Sequence, residues 1–235
     1  MQHFGIIGKP LGHSQSKKYF DNLFATQHID ADYTVRELEA IEEVVPLLDL
    51  LDGINVTSPY KELIIPYLNE IDPVAKEIGA VNVVYRHHGY NTDYIGAMAA
   101  LKPHIRPTDR KALVLGTGGA SRAVRYAMQK LGLEVSTISR QKGKGDLTYD
   151  ELTEDMIKAH TVIANCTPLG MRPQENEKPD IPYEWISGKH ILFDCIYNPE
   201  KTKFLEAGEQ QGAQIVNGEQ MFSAQAKEAI KIFRI

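Results

Sequence analysis

The fold is decided by residues 111–139, which read KALVLGTGGASRAVRYAMQKLGLEVSTIS. The apolar residues at 111–115 predict a short buried strand, and the spacing of apolar residues over 121–131 predicts a helix. A second strand is predicted at 134–139. Strand, glycine-rich loop, helix and strand within about 30 residues make a βαβ unit. This unit predicts a dinucleotide-binding domain.

The glycine-rich loop has the features of a pyrophosphate-binding turn. Gly116 permits the tight turn, and Gly118 lets the backbone approach a pyrophosphate at the positive end of the helix. The third position of the fingerprint is Ser121 instead of glycine, so a purely structural turn remains an alternative. The cofactor-binding candidates in the loop are Gly116, Gly118, Gly119 and Ala120.

A basic segment follows the second strand of this unit, where enzymes that use NAD usually place an acidic residue against the ribose. Here the strand ends at Ser139-Arg140, and Lys142 and Lys144 follow. An arginine at this place can stack on adenine and bind a 2'-phosphate. The segment therefore favours NADP over NAD, with a solvated basic loop as the alternative.

Length and composition set wide limits. The chain has 235 residues, a hydrophobic fraction of 43% and a net charge of −5, which fits a soluble protein of one large domain or two. The charge gives no basic surface for nucleic acid, and no segment is long and apolar enough for a membrane span. No signal peptide is recognisable at the start, so we expect a cytoplasmic protein. Cys166 and Cys195 are predicted to be buried, reduced packing residues.

Strands and helices alternate along the rest of the chain, which predicts an α/β fold with two lobes. Pro103 and Pro107 bracket a polar stretch, and we expect the change of domain near residue 101. Further strands are predicted at 3–8, 32–36, 53–57, 81–85, 161–165, 190–195 and 214–216. Further helices are predicted at 16–28, 62–68, 73–78, 93–101, 203–211 and 219–233.

A polar cluster interrupts an apolar strand in the sequence GINVTSPYK at 53–61. It offers an amide, a hydroxyl and an ammonium group, which suit a small hydroxylated ligand. Lys61 supplies the ammonium group. The alternative is a solvent-facing lysine at the start of a helix.

Seven segments, in order, resemble the shikimate dehydrogenase family over nearly the whole chain. They are GIIGKP with HSQS at 5–16, NVTSPYK at 55–61, GAVN at 79–82, GYNTDYIG at 89–96, NCTPLGM at 165–171, DCIYNP at 194–199 and GEQMFSAQA at 218–226. The chain departs from the family at Lys17, where proline is usual, and at Ser139-Arg140-Gln141, which replaces Asn-Arg-Thr.

The resemblance implies NADP-dependent, reversible reduction of 3-dehydroshikimate to shikimate. It implies a substrate-binding catalytic domain at 1–100 plus 218–235 and a Rossmann-like NADP-binding domain at 101–217. Lys61 and Asp93 are the implied catalytic residues. Reduction of a ketone leaves negative charge on oxygen, so a proton donor within hydrogen-bond reach lowers the barrier, and Lys61 is the candidate donor. If Asp93 lies ~4 Å from Lys61, the two attract by roughly 4 kcal/mol at an effective dielectric of about 20, before the cost of desolvation is subtracted. The substrate-binding candidates are Ser14, Ser16, Asn55, Thr57, Asn82, Tyr197 and Gln225. The remaining cofactor-binding candidates are Ser139, Arg140, Lys144, Thr167, Cys195 and Gly218.

Ser14 and Ser16 are expected to hold the substrate carboxylate. One strand-like step between them would put both hydroxyls on the same side, because alternate residues share a face. A turn or a helix cap is the alternative. His13 precedes the pair and is predicted to be structural.

Three other functions compete with this prediction. One is a quinate/shikimate dehydrogenase that uses either nicotinamide cofactor, and another is a metabolite sensor without turnover. A relative of methylenetetrahydrofolate dehydrogenase shares the plan of two lobes but does not explain Ser14 and Ser16. No metal-binding constellation, nucleic-acid partner or membrane partner is predicted, and the expected assembly is a monomer or a homodimer.

Overall fold

The computed structural model describes residues 1–12 and 14–235; His13 lies outside the described residues. The chain divides into two compact units. The first comprises residues 1–92 and 225–235, and the second comprises residues 93–224.

The first unit is built on a six-stranded sheet in the order β2-β1-β3-β5-β6-β4. β1 pairs in parallel with β2 and β3, whereas β5 is antiparallel to both β3 and β6. The strands are β1 (Gln2–Gly8), β2 (Ala31–Glu37), β3 (Gly53–Val56), β4 (Glu70–Ile71), β5 (Val83–Tyr85) and β6 (His88–Tyr90). The helices are α1 (Ser16–Gln27), α2 (Val45–Leu50), α3 (Tyr60–Leu63) and α4 (Pro73–Ile78).

Two apolar clusters form the core of the first unit. One is aliphatic and includes Ile7, Ile54 and Ile64. The other is aromatic, with the ring of Phe4 at 4.9 Å from that of Phe233. Residues from the end of the chain therefore complete a core that begins at β1.

The second unit contains a six-stranded sheet in the order β12-β11-β10-β7-β8-β9, with every neighbouring pair parallel. Renumbered within the unit and read from β9, this is the strand order 3-2-1-4-5-6 of doubly wound dinucleotide-binding folds. The strands are β7 (Lys111–Leu115), β8 (Glu134–Ser139), β9 (Leu147–Thr148), β10 (Val162–Asn165), β11 (Ile191–Asp194) and β12 (Gln214–Val216). The helices are α5 (Asp93–Leu101), α6 (Gly119–Lys130), α7 (Glu154–Ala159), α8 (Lys203–Gln210) and α9 (Glu219–Phe233), whose last part belongs to the first unit.

The predicted α/β class and the predicted βαβ unit are confirmed. The helix predicted over 62–68 is wrong in extent, because α3 ends at Leu63 and a separate 3-10 turn covers Ile65–Tyr67. Pro66 explains this difference, since proline disfavours helical backbone at the residue before it and lacks the N–H that would continue the helix. Five short elements were absent from the prediction, namely α2, α7, β4, β6 and β9.

The boundaries of the two compact units differ from those of the predicted domains. The units meet at residues 92/93 and 224/225, whereas the predicted boundaries are at 100/101 and 217/218. Helix α5 ends at the predicted boundary near residue 101, but it packs on α6 and so belongs to the second unit. At the other boundary, α9 begins directly after Gly218, and the first unit resumes only at Gln225.

No helix among the described residues is long and apolar enough to cross a membrane. Within residues 1–12 and 14–235, no cluster of three or more His, Cys, Asp or Glu side chains is arranged to hold a metal ion.

Candidate functional site

One edge of the first sheet gathers most of the predicted substrate-binding residues. β1 and β3 run in parallel and end together, with Ile7 opposite Val56. β5 runs in the opposite direction, so its first residues lie beside the end of β3, with Asn55 opposite Val83. The polar residues at these strand ends, including Asn82, therefore meet at one edge, which we call the polar edge.

Asn82 is held in one orientation at the polar edge. Its Oδ1 accepts a hydrogen bond from the backbone N–H of Thr92 at 2.6 Å, and its Nδ2 donates to Thr92 Oγ1 at 2.9 Å. Gln225 Oε1 lies 3.4 Å from both Asn82 Nδ2 and Thr92 Oγ1. Thr92 is fully buried, and the three side chains form a hydrogen-bonded cluster.

Asn55 is fixed by a buried tyrosine. The Tyr33 hydroxyl donates to Asn55 Oδ1 at 2.7 Å, and Tyr33 is almost fully buried. Burial raises the pKa of Tyr33 well above its usual value, while a hydrogen bond with Ser16 acts in the opposite direction. Tyr33 therefore stays protonated at neutral pH and links Ser16 to Asn55.

Ser14 and Ser16 do not follow the predicted strand-like step. The Ser14 N–H donates to the Leu11 carbonyl at 2.9 Å, and the Ser16 N–H donates to Ser14 Oγ at 3.3 Å. Ser16 is the first residue of α1, and Gln15 before it already has helical backbone angles. The expectation of a shared strand face is wrong, because turn and helix geometry position these two hydroxyls.

Lys61 lies in α3, directly after the polar edge. The Tyr60 N–H donates to the Thr57 carbonyl at 2.9 Å, and the Lys61 carbonyl accepts from the Val81 N–H at 2.7 Å. These two bonds fix the backbone of Lys61 beside β3 and the start of β5, and its side chain is half-buried.

Asp93 is the first residue of α5 in the second unit, and it is 5% exposed. A carboxylate at this place is stabilised by the positive end of the helix. Its predicted ion pair with Lys61 remains a prediction.

The glycine-rich loop of the second unit lies at the switch point of the sheet, between the ends of β7 and β10. Gly116 has a φ of +108°, and a Cβ built on it would lie 3.1 Å from Ser121 Oγ and 3.2 Å from the Cys166 carbonyl oxygen. A Cβ on Gly118 would meet nothing within 4 Å among the described residues. The loop thus needs glycine at 116 for its own geometry, and it leaves open space beside Gly118.

Ser121 adds a polar group to this loop. Its hydroxyl is buried, and it has no hydrogen-bond partner among the described residues. Buried hydroxyls are normally satisfied by protein, water or ligand. Together with the start of α6 at Gly119, this hydroxyl suits an anionic group such as a pyrophosphate.

The basic segment after β8 is solvent-exposed. Ser139 Oγ accepts from the Gln141 N–H at 3.0 Å and so shapes the turn, while Arg140, Lys142 and Lys144 are exposed. Burial raises the pKa of the Tyr149 hydroxyl to about 12. The positive charge of nearby Arg140 acts in the opposite direction and lowers this pKa.

Two neighbouring loops follow β10 and β11 and contain Thr167 and Cys195. Thr167 donates through both its N–H and its hydroxyl to Asn165 Oδ1, at 3.0 and 2.7 Å. Asn165 Nδ2 in turn donates to Asp194, which also accepts from the Thr202 hydroxyl at 2.6 Å. Burial raises the pKa of Asp194 to about 6, against the opposing effect of these hydrogen bonds. This network holds the loop of Thr167 against the end of β11.

Gly218 and Tyr197 lie next to these loops. A Cβ on Gly218 would lie 2.2 Å from the Cys195 carbonyl oxygen, so only glycine fits there without a shift of the backbone. The ring of Tyr197 packs on that of Phe222 at 4.9 Å. Two of the predicted cofactor-binding residues, Cys195 and Gly218, are therefore in close contact.

The sequence-based prediction missed the residues that fix the candidates. Tyr33 had no predicted role, whereas Thr92, Asn165 and Asp194 were named only as members of the segments at 89–96, 165–171 and 194–199. Tyr33 carries no usable signal, because a tyrosine within an apolar strand is ordinary. The order Asn-Thr-Asp at the end of a short strand was a signal for Thr92, since such residues bond to nearby backbone.

Both the sequence and the fold of this chain are similar to those of known proteins. A profile described as the shikimate dehydrogenase substrate binding domain matches residues 6–84. The shikimate dehydrogenase (NADP(+)) of Methanosphaera stadtmanae is 33% identical over 254 residues, covering 97% of this chain and 90% of that protein. The crystal structure of shikimate dehydrogenase from Aquifex aeolicus has a TM-score of 0.86 at 36% identity, covering 99% of this chain and 92% of that one.

A further crystal structure, that of the shikimate dehydrogenase from Thermus thermophilus in complex with NADP(H) and shikimate, has a TM-score of 0.87 at 27% identity and covers 99% of this chain and 93% of that chain. Identity above 30% over nearly the full length of both proteins, together with the matching fold, settles the relationship. This chain belongs to the shikimate dehydrogenase family.

Proposed function

We propose that this chain catalyses the reversible, NADP-dependent reduction of 3-dehydroshikimate to shikimate, a step in the biosynthesis of aromatic amino acids. The observation that carries the proposal is the polar edge, where neutral hydrogen-bonding side chains are fixed beside the backbone of a lysine. A carboxylated, hydroxylated ring requires several such donors and acceptors. The named relatives support the same activity.

In this proposal, the substrate is oriented mainly by the first unit. Ser14 and Ser16 hold the carboxylate through their hydroxyls, in the turn that leads into α1. The hydroxyl groups of the ring are bound by Asn55, Thr57, Asn82 and Gln225, with Tyr197 from the second unit. Because Asn55 and Asn82 are already fixed by Tyr33 and Thr92, little side-chain entropy is lost on binding.

Lys61 and Asp93 carry the proposed chemistry. When bound, NADPH supplies the hydride to the carbonyl carbon. The Lys61 ammonium group donates a proton to the carbonyl oxygen as negative charge develops there, a role worth typically about 10²–10⁴ in rate. Asp93 accepts a hydrogen bond from a substrate hydroxyl and orients the ring.

The proposed NADP site uses the second unit. The open space beside Gly118 and the buried Ser121 hydroxyl suit the pyrophosphate. Arg140 is assigned to the 2'-phosphate, with Lys144 as a second cation. Both side chains are exposed in the segment after β8. Enzymes that use NAD usually have an acidic residue at this position. Thr167, Cys195 and Gly218 are assigned to the nicotinamide end.

We assign the substrate role to a domain formed by residues 1–100 plus 218–235, and the NADP role to residues 101–217. The net charge of −5 offers no field for a nucleic-acid backbone, so only small-molecule ligands are proposed. We also propose that the protein works in the cytoplasm as a monomer or a homodimer.

The proposal is tested by the absorbance of NADPH formed from shikimate and NADP. The same assay is run with quinate in place of shikimate, and with NAD in place of NADP. We expect kcat/KM to be highest for shikimate with NADP. A higher value for quinate with NAD would identify a quinate dehydrogenase, and ligand binding without turnover would identify a sensor.

The cofactor assignment has its own test. Arg140→Ala is expected to raise KM for NADP by about tenfold or more, because an arginine–phosphate contact is charge-assisted. KM for shikimate should change little. Arg110→Ala is the matched control, since Arg110 is also an exposed cation of the second unit. Equal KM for NADP in the wild type and in Arg140→Ala would contradict phosphate recognition by Arg140.

A further inference from the structure

The two cysteines of the chain lie side by side at the switch end of the second sheet. Cys166 follows β10 and Cys195 follows β11, and the last residues of these parallel strands, Asn165 and Asp194, are paired in register. The Cys195 N–H donates to the Asn165 carbonyl at 3.0 Å. The two sulfurs are 3.4 Å apart, and both residues are partly exposed. Both pack against the apolar core of the second unit, as predicted, but their burial is only partial.

This arrangement suits a covalent bond between the sulfurs. Neighbouring strands lie about 4.8 Å apart, which falls within the ~4.4–6.8 Å Cα separation of disulfides. The sulfurs must approach to about 2.05 Å, which side-chain rotation and a small backbone shift supply. No other cysteine exists in the chain to compete for either thiol.

We propose that Cys166 and Cys195 form a reversible dithiol–disulfide site that reacts with small-molecule disulfides such as oxidised glutathione. The Cys166 thiolate attacks one sulfur of the oxidant, which forms a mixed disulfide and releases one thiolate. Cys195 then loses its proton and attacks the Cys166 sulfur, which forms the internal disulfide and releases the second thiolate. Two cysteine thiols are oxidised, and one disulfide is reduced to two thiols.

The order of attack follows from the surroundings of Cys195. Its hydrogen bond with Cys166, its burial and the nearby carboxylates of Asp194 and Asp93 raise the pKa of Cys195 well above its usual value. Cys195 is therefore the sulfur that keeps its proton, and Cys166 is assigned the first attack.

A disulfide between Cys166 and Cys195 would shift the loops that are assigned to the nicotinamide end of the cofactor. This consequence rests on the proposed function. Cys166 directly precedes Thr167, and Cys195 is packed so closely against Gly218 that no Cβ fits between them. Drawing the sulfurs together therefore displaces the loops assigned to the nicotinamide end. We expect turnover to fall by about tenfold to 10²-fold, since a shift of about 1 Å at a reacting centre has effects of this size.

The test treats the purified full-length protein with oxidised glutathione and measures its intact mass without reduction. The wild type should lose the mass of two hydrogens and carry no glutathione. Cys195→Ser should instead keep one glutathione on Cys166, because the second thiol is missing. A wild type with two free thiols, or with glutathione on both, would overturn the proposal. Cys195→Ala serves as a second variant if the serine variant does not fold.

Turnover is measured on the same samples. The wild type should lose turnover on oxidation and regain it with a dithiol reductant, whereas a double variant, Cys166→Ser with Cys195→Ser, should keep its own starting value. Formation of the disulfide with no change in wild-type turnover would overturn the link to the cofactor region. The mass measurement requires no substrate, so its failure is distinct from a failure of the proposed function.

Discussion

The polar edge of the first unit and the glycine-rich loop of the second unit are built on different principles. At the polar edge, side chains are held by other side chains, as Asn82 is held by Thr92 and Asn55 by Tyr33. In the loop, open space at Gly118 leaves the backbone accessible, and the buried Ser121 hydroxyl adds a side-chain group to it. The first arrangement fixes donors and acceptors in particular directions. The second leaves room for a large anion.

This difference predicts different sensitivities to mutation. Loss of one partner at the polar edge leaves a buried polar group unpaired and loosens its orientation, so both stability and the binding of a small ring should weaken. At the loop, a substitution cannot remove the backbone groups that are proposed to bind the cofactor. It should therefore weaken NADP binding only when the new side chain fills the space beside the loop. Three substitutions test this contrast, in order of expected effect.

Lys61→Ala should have the largest effect, because it removes the proposed proton donor. We expect kcat to fall by about 10²–10⁴ while shikimate binding changes little. Steady-state kinetics and equilibrium binding of shikimate separate these quantities. Lys76→Ala is the control, since Lys76 is an exposed lysine of the same unit. Near-normal turnover in Lys61→Ala would rule out Lys61 as the donor.

Gly118→Ala tests the loop by adding a single methyl group. Gly118 has a φ of −81°, which alanine adopts readily, and its Cβ would meet no described residue within 4 Å. Gly118 is also the N-cap of α6, where alanine is less favourable than glycine, and this offsets the entropic gain from alanine. We therefore expect little change in thermal stability, but a rise in KM for NADP of about tenfold, or ~1.4 kcal/mol.

The control for this loop variant is Gly188→Ala, whose Cβ would lie 3.5 Å from the Gly212 carbonyl oxygen in ordinary contact. It should leave KM for NADP unchanged. If Gly118→Ala bound NADP as tightly as the wild type, the backbone at Gly118 would not approach the cofactor.

Tyr33→Phe should have the smallest effect, since it removes one hydroxyl that bonds to Asn55 and Ser16 and leaves both of these proposed substrate-binding side chains in place. We expect a loss of about 0.5–1.5 kcal/mol in unfolding free energy and a rise of about threefold in KM for shikimate. Tyr60→Phe is a close control, because Tyr60 is also buried in the first unit and its hydroxyl donates to the Leu38 carbonyl at 2.6 Å. Both variants should lose similar stability. An equal change in KM for both would show that Tyr33 has no particular role in orienting Asn55.

Local patterns in the sequence were enough to predict some of these features and not others. The βαβ unit around Gly116 was predictable, because strand, turn and helix lie within one short stretch. The positions of Ser14 and Ser16 were not, since a two-residue spacing fits a strand and a turn equally well. The contact of Cys166 with Cys195 depends on strand register across 29 residues of sequence. No local pattern encodes such pairing, and the same holds for Tyr33 and Asn55.

Helix α9 has a consequence for how the first unit closes its core. Its last part belongs to the first unit, and a Cβ on Gly53 would lie 2.5 Å from the ring of Phe233, which shows how closely that ring fills the core. The second unit is continuous in the sequence from 93 to 224, whereas the first unit joins residues 1–92 with residues 225–235, which follow the second unit in the sequence. The aromatic core of the first unit therefore closes across the whole sequence of the second, and contacts of such large sequence separation form slowly.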